Sequence, residues 1–341
     1  MKYFFLIFFF AVIISCNDSG NKYQQPADEE YKIAGKIERY DEALDSIISK
    51  DAKARIILTG FDWSEGALWV EKYNMLLFSD VPRNCVYKWT EKKGIEMYLS
   101  FSGYTDTAKR GGEMGSNGLT LDNNGNLVLC QHGDRRVARM DAPLDKPESK
   151  FITLAEKYNG KKFSSPNDAV FNSSGELFFT DPPYGLKTQD DSDPEKEISF
   201  NGVYKVKKDG RVILLVDSIS RPNGIAFFPG EKRLLVASSD PVKPNWYVFD
   251  VVGDSLSNGK IFYSAAGFDS TWHGLPDGLR VDKKGNVYAS GPGGLYFFNS
   301  EGKKLGMLKL YNASSNCSLS GDEKTLYVTN DMYVLRIKLR D

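Results

Sequence analysis

The chain has 341 residues, of which 41% are apolar and 13% aromatic, so it is long enough and apolar enough to bury a full hydrophobic core. Its 44 basic side chains are balanced by 45 acidic ones, and the net charge of −1 gives no electrostatic footprint for a nucleic acid. We therefore expect a folded protein that does not bind nucleic acid.

The N-terminal sequence predicts a targeting signal. Lys2 precedes the apolar run Tyr3–Ile14, which is too short to span a bilayer with ease. The run leads into the sequence IISC, which is similar to a bacterial lipobox, in which the signal peptide is removed and the cysteine is lipidated. We expect residues 1–16 to be this signal, with Cys16 anchoring the protein in a membrane of the bacterial cell envelope, at its periplasmic or outer-membrane face. An ordinary secretory signal cleaved nearby is the alternative.

Two short segments follow the signal. Residues 17–30 are polar and contain almost nothing to bury, which predicts a disordered tether. Residues 31–50 form an N-terminal helical segment in this interpretation, with an amphipathic helix at about Ile33–Ser49 outside the main domain. Apolar residues recur there at helical spacing: Ile37, Tyr40, Leu44, Ile47 and Ile48.

Residues 51–341 consist of short strand patterns that repeat six times. The repeated motif reads SEGALWV, SNGLTLD, SPNDAVF, RPNGIAF, LPDGLRV and SNCSLSG, at intervals of roughly 50 residues. Each repeat offers three or four antiparallel strands, which need neighbouring sheets to bury both faces. We therefore predict an all-β fold, a six-bladed β-propeller. The remaining cysteines fall in different repeats, which argues against a disulfide framework.

One position of the repeat holds a side-chain oxygen in every copy. The residues in register are Glu65, Asn117, Asn167, Asn223, Asp277 and Asn316. Because the first strand of a propeller blade lines the channel, these oxygens should face one axis. Two carboxylates and two amides, from Glu65, Asn167, Asn223 and Asp277, are hard donors that suit one Ca²⁺ ion. Mg²⁺ and Mn²⁺ are possible occupants that suit the set less well. Zn²⁺ is also possible, but the lack of cysteine and histidine in register argues against a thiolate or imidazole zinc site.

A rival interpretation is that these residues cap turns, since Asn and Asp before Gly often satisfy turn backbones. It does not explain Glu65, because Glu is a poor turn former. Strand alternation predicts that Asp168, next to Asn167, points away from the axis. His132 follows the second strand of its repeat near the channel mouth, where it could contact a substrate or make a structural hydrogen bond.

Several motifs, in order along the chain, resemble one known family. They are Ser64-Glu65-Gly66 with Trp69, Asn117-Gly118-Leu119, His132-Gly133 with Arg135-Arg136, Ser165-Pro166-Asn167-Asp168, Phe179-Thr180-Asp181-Pro182, Arg221-Pro222-Asn223-Gly224 and Pro276-Asp277-Gly278. The family is SMP-30/gluconolactonase/LRE-like, and the resemblance runs from about residue 51 to the C-terminus. It implies a six-bladed propeller with one catalytic divalent metal, commonly Ca²⁺, and hydrolysis of sugar lactones, other lactones or, in some branches, organophosphates.

The resemblance also implies residue roles. Glu65, Asn223 and Asp277 match the family's metal ligands, and Asp277 also matches its proposed general base. Asn167 matches a residue that is a metal ligand in some members and a substrate contact in others. Some sugar lactonases have an arginine two residues before this asparagine, where this chain has Ser165. We expect Asn117, His132 and Asn167 to bind the substrate.

Together these features predict a metal-dependent hydrolase that opens a lactone ring, with a small-molecule lactone or sugar-derived compound as substrate. We expect the protein to be a monomer. Two alternatives remain at this point. One is a non-catalytic propeller lipoprotein that binds a sugar or another ligand, and the other is a phosphotriesterase-like hydrolase that uses the same metal.

Overall fold

Short antiparallel strands make up most of the structure. The computed structural model describes residues 30–108 and 110–340, and within them it contains 27 strands and two 3₁₀ helices, Glu42–Ser46 and Glu71–Tyr73. The first two strands are β1 (Lys36–Arg39) and β2 (Ala54–Thr59). The next strands are β3 (Ser64–Val70), β4 (Met75–Asp80), β5 (Cys85–Thr90), β6 (Gly94–Ser100), β7 (Ser116–Leu121), β8 (Leu127–Gln131), β9 (Arg136–Met140), β10 (Phe151–Ala155), β11 (Lys157–Tyr158), β12 (Lys161–Lys162), β13 (Ala169–Phe171), β14 (Leu177–Asp181), β15 (Gly202–Val206) and β16 (Val212–Val216). The last are β17 (Pro222–Phe227), β18 (Arg233–Ser239), β19 (Pro244–Val252), β20 (Ser255–Ser264), β21 (Leu279–Val281), β22 (Val287–Gly291), β23 (Gly294–Phe298), β24 (Lys304–Lys309), β25 (Asn316–Leu319), β26 (Thr325–Asn330) and β27 (Tyr333–Lys338).

Six antiparallel sheets close into a ring, and β11 pairs with β12 in a separate two-stranded sheet. The first four blades are β3–β6, β7–β10, β13–β16 and β17–β20, the fifth contains β21–β24, and the sixth contains β25–β27. The first strand of each blade contacts the first strand of the next, and β25 contacts β3. This closed circuit of inner strands confirms the predicted six-bladed β-propeller.

The N-terminal strands complete the last two blades. β2 pairs with β27 as the outer strand of the sixth blade, with Ala54 opposite Ile337 and Thr59 opposite Tyr333. β1 pairs with β24 and extends the fifth blade to five strands. Since β2 and β27 lie near opposite ends of the propeller sequence, their pairing fastens the ring.

Six clusters of buried apolar side chains lie between the blades, one at each interface. Strand side chains alternate between the two faces of a sheet, so each blade contributes residues to both of its neighbours. Trp89 and Trp246 are among the largest fully buried side chains. Burial of such side chains typically contributes about 1.5–3 kcal/mol each, which makes blade stacking the main source of stability.

The predicted N-terminal helix is shorter than expected. Only Glu42–Ser46 is helical, and the Asp41 side chain caps it by accepting the backbone N–H of Ala43 at 2.9 Å. The residues before it form β1, because their backbone pairs with the free edge of β24. Leu44 and its apolar neighbours pack between the fifth and sixth blades, outside the ring of inner strands.

The predicted signal, with Cys16, and nearly all of the predicted tether lie outside the described residues. In residues 30–108 and 110–340, no helix is both long and apolar enough to cross a membrane. Cys85, Cys130 and Cys317 are buried free thiols, which agrees with the prediction of no disulfide framework among them.

Candidate active site

The six register residues lie where the inner strands begin. Glu65, Asn117, Asn223 and Asn316 belong to β3, β7, β17 and β25, and Asn167 and Asp277 lie two residues before β13 and β21. All of them are buried except Asp277, which is partly exposed. The repeat therefore places one polar side chain per blade on the inner ring, as predicted.

Glycines next to these residues allow neighbouring blades to approach closely. A Cβ atom on Gly66 would lie 2.2 Å from the carbonyl oxygen of Asn117, and one on Gly224 would lie 2.3 Å from the carbonyl oxygen of Asp277. Both distances are far below van der Waals contact, so only glycine fits. The Glu65-Gly66 and Asn223-Gly224 pairs thus lie where inner strands of adjacent blades meet, and the turn-capping interpretation does not describe their setting.

Irregular pairing at the site redirects the side chains. The ladder between the first and second strands shifts register between Glu65 and Leu68, between Ser116 and Leu119, and between Pro222 and Ile225. A β-bulge interrupts the two-residue alternation of a strand and turns the adjacent side chain to a new direction. In these three blades, therefore, the direction of the polar side chain need not follow the regular two-residue alternation of a strand.

Five of the six register residues line one cavity of about 330 Å³. They are Glu65, Asn117, Asn167, Asn223 and Asp277, and the walls also include Trp63, Glu113, Tyr184, Ser239, Gly274, Leu275, Ala313 and Ser314. The sixth register residue, Asn316, supports the site instead, because its side chain hydrogen-bonds to Glu65. A cavity in which a few polar groups converge among apolar walls is typical of small-molecule binding.

The two carboxylates of this set lack a positive partner in the cavity. Burial raises the pKa of Glu65, and the nearby carboxylates of Asp168 and Glu113 raise it further. Burial likewise raises the pKa of Asp277, with repulsion from Glu65 as the next cause. A buried cluster of like charges is unfavourable unless a cation shares it.

The amides present oxygen toward the same space. Oδ1 of Asn167 is buried and has no hydrogen-bond partner. Nδ2 of Asn223 donates to Oγ of Ser239 at 2.8 Å, so the amide oxygen is directed away from Ser239. Ser239 in turn donates to the carbonyl oxygen of Pro276 at 2.6 Å, which links Asn223 to the residue before Asp277.

These residues fit a divalent cation. A buried amide oxygen without a partner costs free energy unless something binds it, and two carboxylates supply the charge that a divalent ion needs. Within the described part of the chain, no group of three or more His, Cys, Asp and Glu side chains is placed to hold an ion. The proposed ligand set consists of two carboxylates and two amides, so it contains too few of these side chains to form such a group. Its oxygen ligands suit hard cations better than soft ones.

Asp168 departs from the prediction. It is buried, and its Oδ2 lies 3.7 Å from Nη1 of Arg280, which also donates from Nη2 to the carbonyl oxygen of Ala67 at 3.3 Å. These partners belong to the fifth and first blades, so Asp168 points into the channel and not away from it. Alternation failed here because β13 begins only at Ala169, and Asp168 is outside the regular strand.

His132 lies behind the cavity wall. Its side chain is fully buried and is not among the residues lining the cavity, and Nδ1 is 3.8 Å from Oε2 of Glu113. Burial lowers the pKa of His132 to about 3, with repulsion from Arg110 as a further cause, so the ring is neutral. In this position His132 is within reach of a lining residue and not of the cavity itself.

The lining residues that the sequence analysis did not identify include Glu113 and Ser239. Glu113 lies on the loop between β6 and β7, outside the repeated motif. The one sequence feature that indicated it was its acidic side chain within a glycine-rich segment. The sequence contains a clearer indication of Ser239. A hydroxyl recurs at the end of the second strand in five blades, as Ser79, Thr180, Ser239, Ser290 and Thr329.

A larger groove of about 760 Å³ lies at the outer edge of the first blade. It is lined by residues such as Trp69, Lys88 and Tyr98, and none of the register residues reaches it. The convergence of buried polar groups therefore favours the smaller central cavity as the functional site.

The comparison with protein families gives a match over most of the chain. The model of the SMP-30/Gluconolactonase/LRE-like region matches residues 63–331. A gluconolactonase of Zymomonas mobilis is 37% identical over 313 residues, which cover 90% of this chain and 86% of that protein. Human regucalcin is 22% identical over 273 residues, which cover 78% of this chain and 82% of that protein.

Solved structures share the architecture. A gluconolactonase from Xanthomonas campestris superimposes with a TM-score of 0.78 and 28% identity, covering 90% of this chain and 97% of that one. Regucalcin from Agrobacterium tumefaciens, described as a calcium-binding protein, gives a TM-score of 0.62 with 14% identity, covering 91% and 96%. The second likeness concerns the fold alone.

Proposed function

The chain belongs to the SMP-30/gluconolactonase/LRE-like family, and from this premise we propose that it is a lactone-hydrolysing enzyme whose reaction takes place in the central cavity. The relatives named gluconolactonase in Zymomonas and Xanthomonas support a sugar lactone or a similar small lactone as substrate. The observation that carries the proposal is the convergence of Glu65, Asn117, Asn167, Asn223 and Asp277 on one cavity.

Four of these residues would hold one divalent cation, for which calcium is the proposed identity. They are Glu65, Asn167, Asn223 and Asp277, whose oxygens match the hard donors that calcium prefers. When bound, such an ion supplies Lewis-acid polarisation of the lactone carbonyl. The unpartnered Oδ1 of Asn167 and the uncompensated carboxylates are the features that support this assignment.

Asp277 is the proposed general base. Its Oδ1 accepts the backbone N–H of Gly278 at 3.0 Å, which fixes the carboxylate and leaves the second oxygen for the cavity. There it would take a proton from the water that attacks the lactone carbonyl carbon. General-base catalysis by a positioned carboxylate typically contributes about 10²–10⁴ in rate.

Asn117 and Asn167 would orient the substrate. Both side chains line the cavity, and the backbone of Asn117 is fixed because its carbonyl oxygen accepts the hydroxyl of Ser79 at 3.0 Å. The amide groups can donate to ring or hydroxyl oxygens of a lactone. His132, buried behind Glu113, would act on the substrate only through that residue.

The test is turnover of a panel of lactones with excess calcium and with EDTA. We expect hydrolysis with calcium and its loss with EDTA, followed by recovery when calcium is restored. Binding of a sugar or lactone without turnover would favour a ligand-binding propeller. Hydrolysis of a phosphotriester with no activity on any lactone would favour a phosphotriesterase.

We also propose that the protein is anchored at a bacterial membrane through lipid on Cys16, with the propeller held in water as a monomer. The support is the sequence alone, in which an apolar run ends at a lipobox-like IISC. One acyl chain gives only marginal membrane binding, so stable anchoring needs more than one lipid chain or a second signal.

A further inference from the structure

A third carboxylate, from Glu113, faces the central cavity without belonging to the register. It lies on the loop between β6 and β7 and lines the cavity together with Glu65 and Asp277. Its side chain is 25% exposed, so it combines contact with the cavity and access to solvent. Glu65 and Asp277 are cation ligands in the proposed site, so Glu113 is the carboxyl group of the cavity lining to which the proposed function gives no role.

The backbone around Glu113 is fixed. The carbonyl oxygens of Met114 and Gly115 accept the N–H groups of Gly133 and His132, each at 3.2 Å, and the N–H of Gly115 donates to Val81 at 2.8 Å. A Cβ on Gly133 would lie 2.6 Å from the carbonyl oxygen of Met114, so the loop and the turn after β8 pack without a gap. The loop therefore presents Glu113 from a defined position.

His132 is a buried neighbour of Glu113. The imidazole is fully buried, and neither ring nitrogen has a hydrogen-bond partner. Oε2 of Glu113 is 3.8 Å from Nδ1, so a small rotation of the carboxyl group would make a hydrogen bond with the neutral ring. A buried polar ring without a partner is costly, and this contact would satisfy one of its two nitrogens.

We propose that Glu113 is the general acid that protonates the ring oxygen of the lactone as the ring opens. This inference rests on the proposed function. Water adds to the carbonyl carbon while Asp277 takes its proton. The bond between the carbonyl carbon and the ring oxygen then breaks, and its electron pair moves to that oxygen, which receives the proton of Glu113. Exchange with solvent returns Asp277 and Glu113 to their starting states.

The protonation state of Glu113 agrees with this role. In the metal-free fold, burial raises the pKa of Glu113 to about 7, which favours the protonated form that a general acid needs. A catalytic acid works best when its pKa is close to the operating pH. Glu113 is four residues from Asn117 in sequence, and its carboxylate lies 3.8 Å from the His132 ring.

The test compares two lactones that differ in leaving group. An aliphatic lactone releases an alkoxide whose conjugate acid has a pKa of about 16, close to that of water, whereas an aryl lactone releases a phenolate whose conjugate acid has a pKa of about 10. Only the alkoxide needs a proton from the enzyme. Glu113→Gln should therefore lower kcat on the aliphatic lactone by about 10²–10³ and leave kcat on the aryl lactone within about fivefold.

Calcium affinity measured by calorimetry should be the same in Glu113→Gln and in the wild type, and the thermal melting curve shows whether the variant is folded. If Glu113→Gln does not fold, Glu113→Asp, which keeps the acid but shortens its reach, should show the same selective loss. Equal loss on both lactones, no loss on either, or weakened calcium binding would overturn the role. Failure of the proposed function itself would appear differently, as no turnover by the wild type.

Discussion

The carboxylate of Asp168 in the third blade and the guanidinium of Arg280 in the fifth blade meet inside the channel, with 3.7 Å between Oδ2 and Nη1. The two blades are not neighbours in the ring, and Arg280 also reaches the carbonyl oxygen of Ala67 in the first blade. This ion pair therefore connects three blades through the channel. It also places a fixed positive charge near the proposed cation site, where it offsets one of the surrounding carboxylates.

Replacing Arg280 should destabilise the ring. Arg280→Met would leave the buried Asp168 without a counter-charge, and breaking a buried pair in this way typically costs about 3 kcal/mol or more. We expect the free energy of unfolding in urea, measured with EDTA present, to fall by about that amount. The double variant Asp168→Asn with Arg280→Met should recover most of the loss.

The matched control for this prediction is Arg211→Met. Arg211 pairs with Asp209 at the surface, where both groups are in water, so its removal should leave the unfolding midpoint unchanged. Equal stability of Arg280→Met and the wild type would show that the channel pair contributes nothing.

Ser239 should control cation binding without being a ligand. Its hydroxyl accepts from Nδ2 of Asn223 and donates to the carbonyl oxygen of Pro276, which orients the Asn223 oxygen and the segment before Asp277. Loss of such outer partners typically weakens metal binding about 10- to 100-fold. We expect Ser239→Ala to show this loss in calcium titrations by calorimetry.

Ser238→Ala is the natural comparison for Ser239→Ala, because successive side chains of β18 point to opposite faces of the strand. It should bind calcium like the wild type, and Ser239→Thr, which keeps the hydroxyl, should bind more tightly than Ser239→Ala. The positioning role would be wrong if Ser238→Ala and Ser239→Ala weakened binding equally.

The repeat made the inner ring predictable. A side-chain oxygen at one position of every copy is a local pattern, and the fold converts that pattern into convergence at the channel. Features without such a pattern were missed. The pairing of β2 with β27 joins distant parts of the chain. The helical spacing of Ile37 and Leu44 predicted a helix, and it contains no information about the free edge of β24 with which β1 pairs.

Within the site, the failures have equally specific causes. Asp168 lies just before β13, where strand alternation does not apply, so its direction toward Arg280 could not be deduced. Glu113 comes from an insertion that occurs in one repeat only, and nothing in the register indicates that its loop folds back on the cavity. The position of His132 after the second strand of its repeat predicted that it lies near the channel mouth. Its burial involves close packing against Gly185, which comes from a different insertion and could not be foreseen from the strand pattern.

Calcium should stabilise the protein more at high pH than at low pH. The pKa values of Glu65 and Asp277 are raised in the metal-free fold, first by burial. Each therefore binds more protons when folded than when unfolded, and this contribution to stability falls as the pH rises above about 4.5 through the raised pKa. A bound cation would offset the repulsion between the ionised carboxylates of Glu65 and Asp277, which form at higher pH.

The measurement is the melting temperature with excess calcium and with EDTA, at about pH 5.5 and about pH 8.5. We expect the calcium-induced increase to be larger at the higher pH, and Glu65→Gln should diminish it. An increase that is the same at both pH values, or larger at the lower one, would contradict a site built on these two carboxylates.

Removal of the proposed lipid attachment point should change the location of the protein. Cys16→Ala cannot receive lipid, so we expect the full-length variant to leave the membrane fraction that holds the wild type. Fractionation followed by immunodetection measures the distribution. Cys85→Ala, which changes a buried thiol of the propeller, is the control and should stay with the membrane. Recovery of Cys16→Ala in the membrane at the wild-type level would refute the anchor.

Asp277→Asn should abolish nearly all lactonase activity. Asparagine keeps the shape and one oxygen of the side chain but cannot accept a proton, so kcat should fall by about 10²–10⁴ even at saturating calcium. The loss should be similar for aliphatic and aryl lactones, because the attack of water precedes departure of either leaving group. This pattern differs from the selective loss expected for Glu113→Gln.

Asn117→Ala is the matched control for Asp277→Asn, because Asn117 occupies the same register and lines the same cavity without being a proposed ligand. It should raise KM more than it lowers kcat, and calcium affinity should be retained. If Asp277→Asn instead turned over both lactones at near wild-type rates with calcium in excess, Asp277 would not be the base. Proton removal from water would then need another acceptor in the cavity.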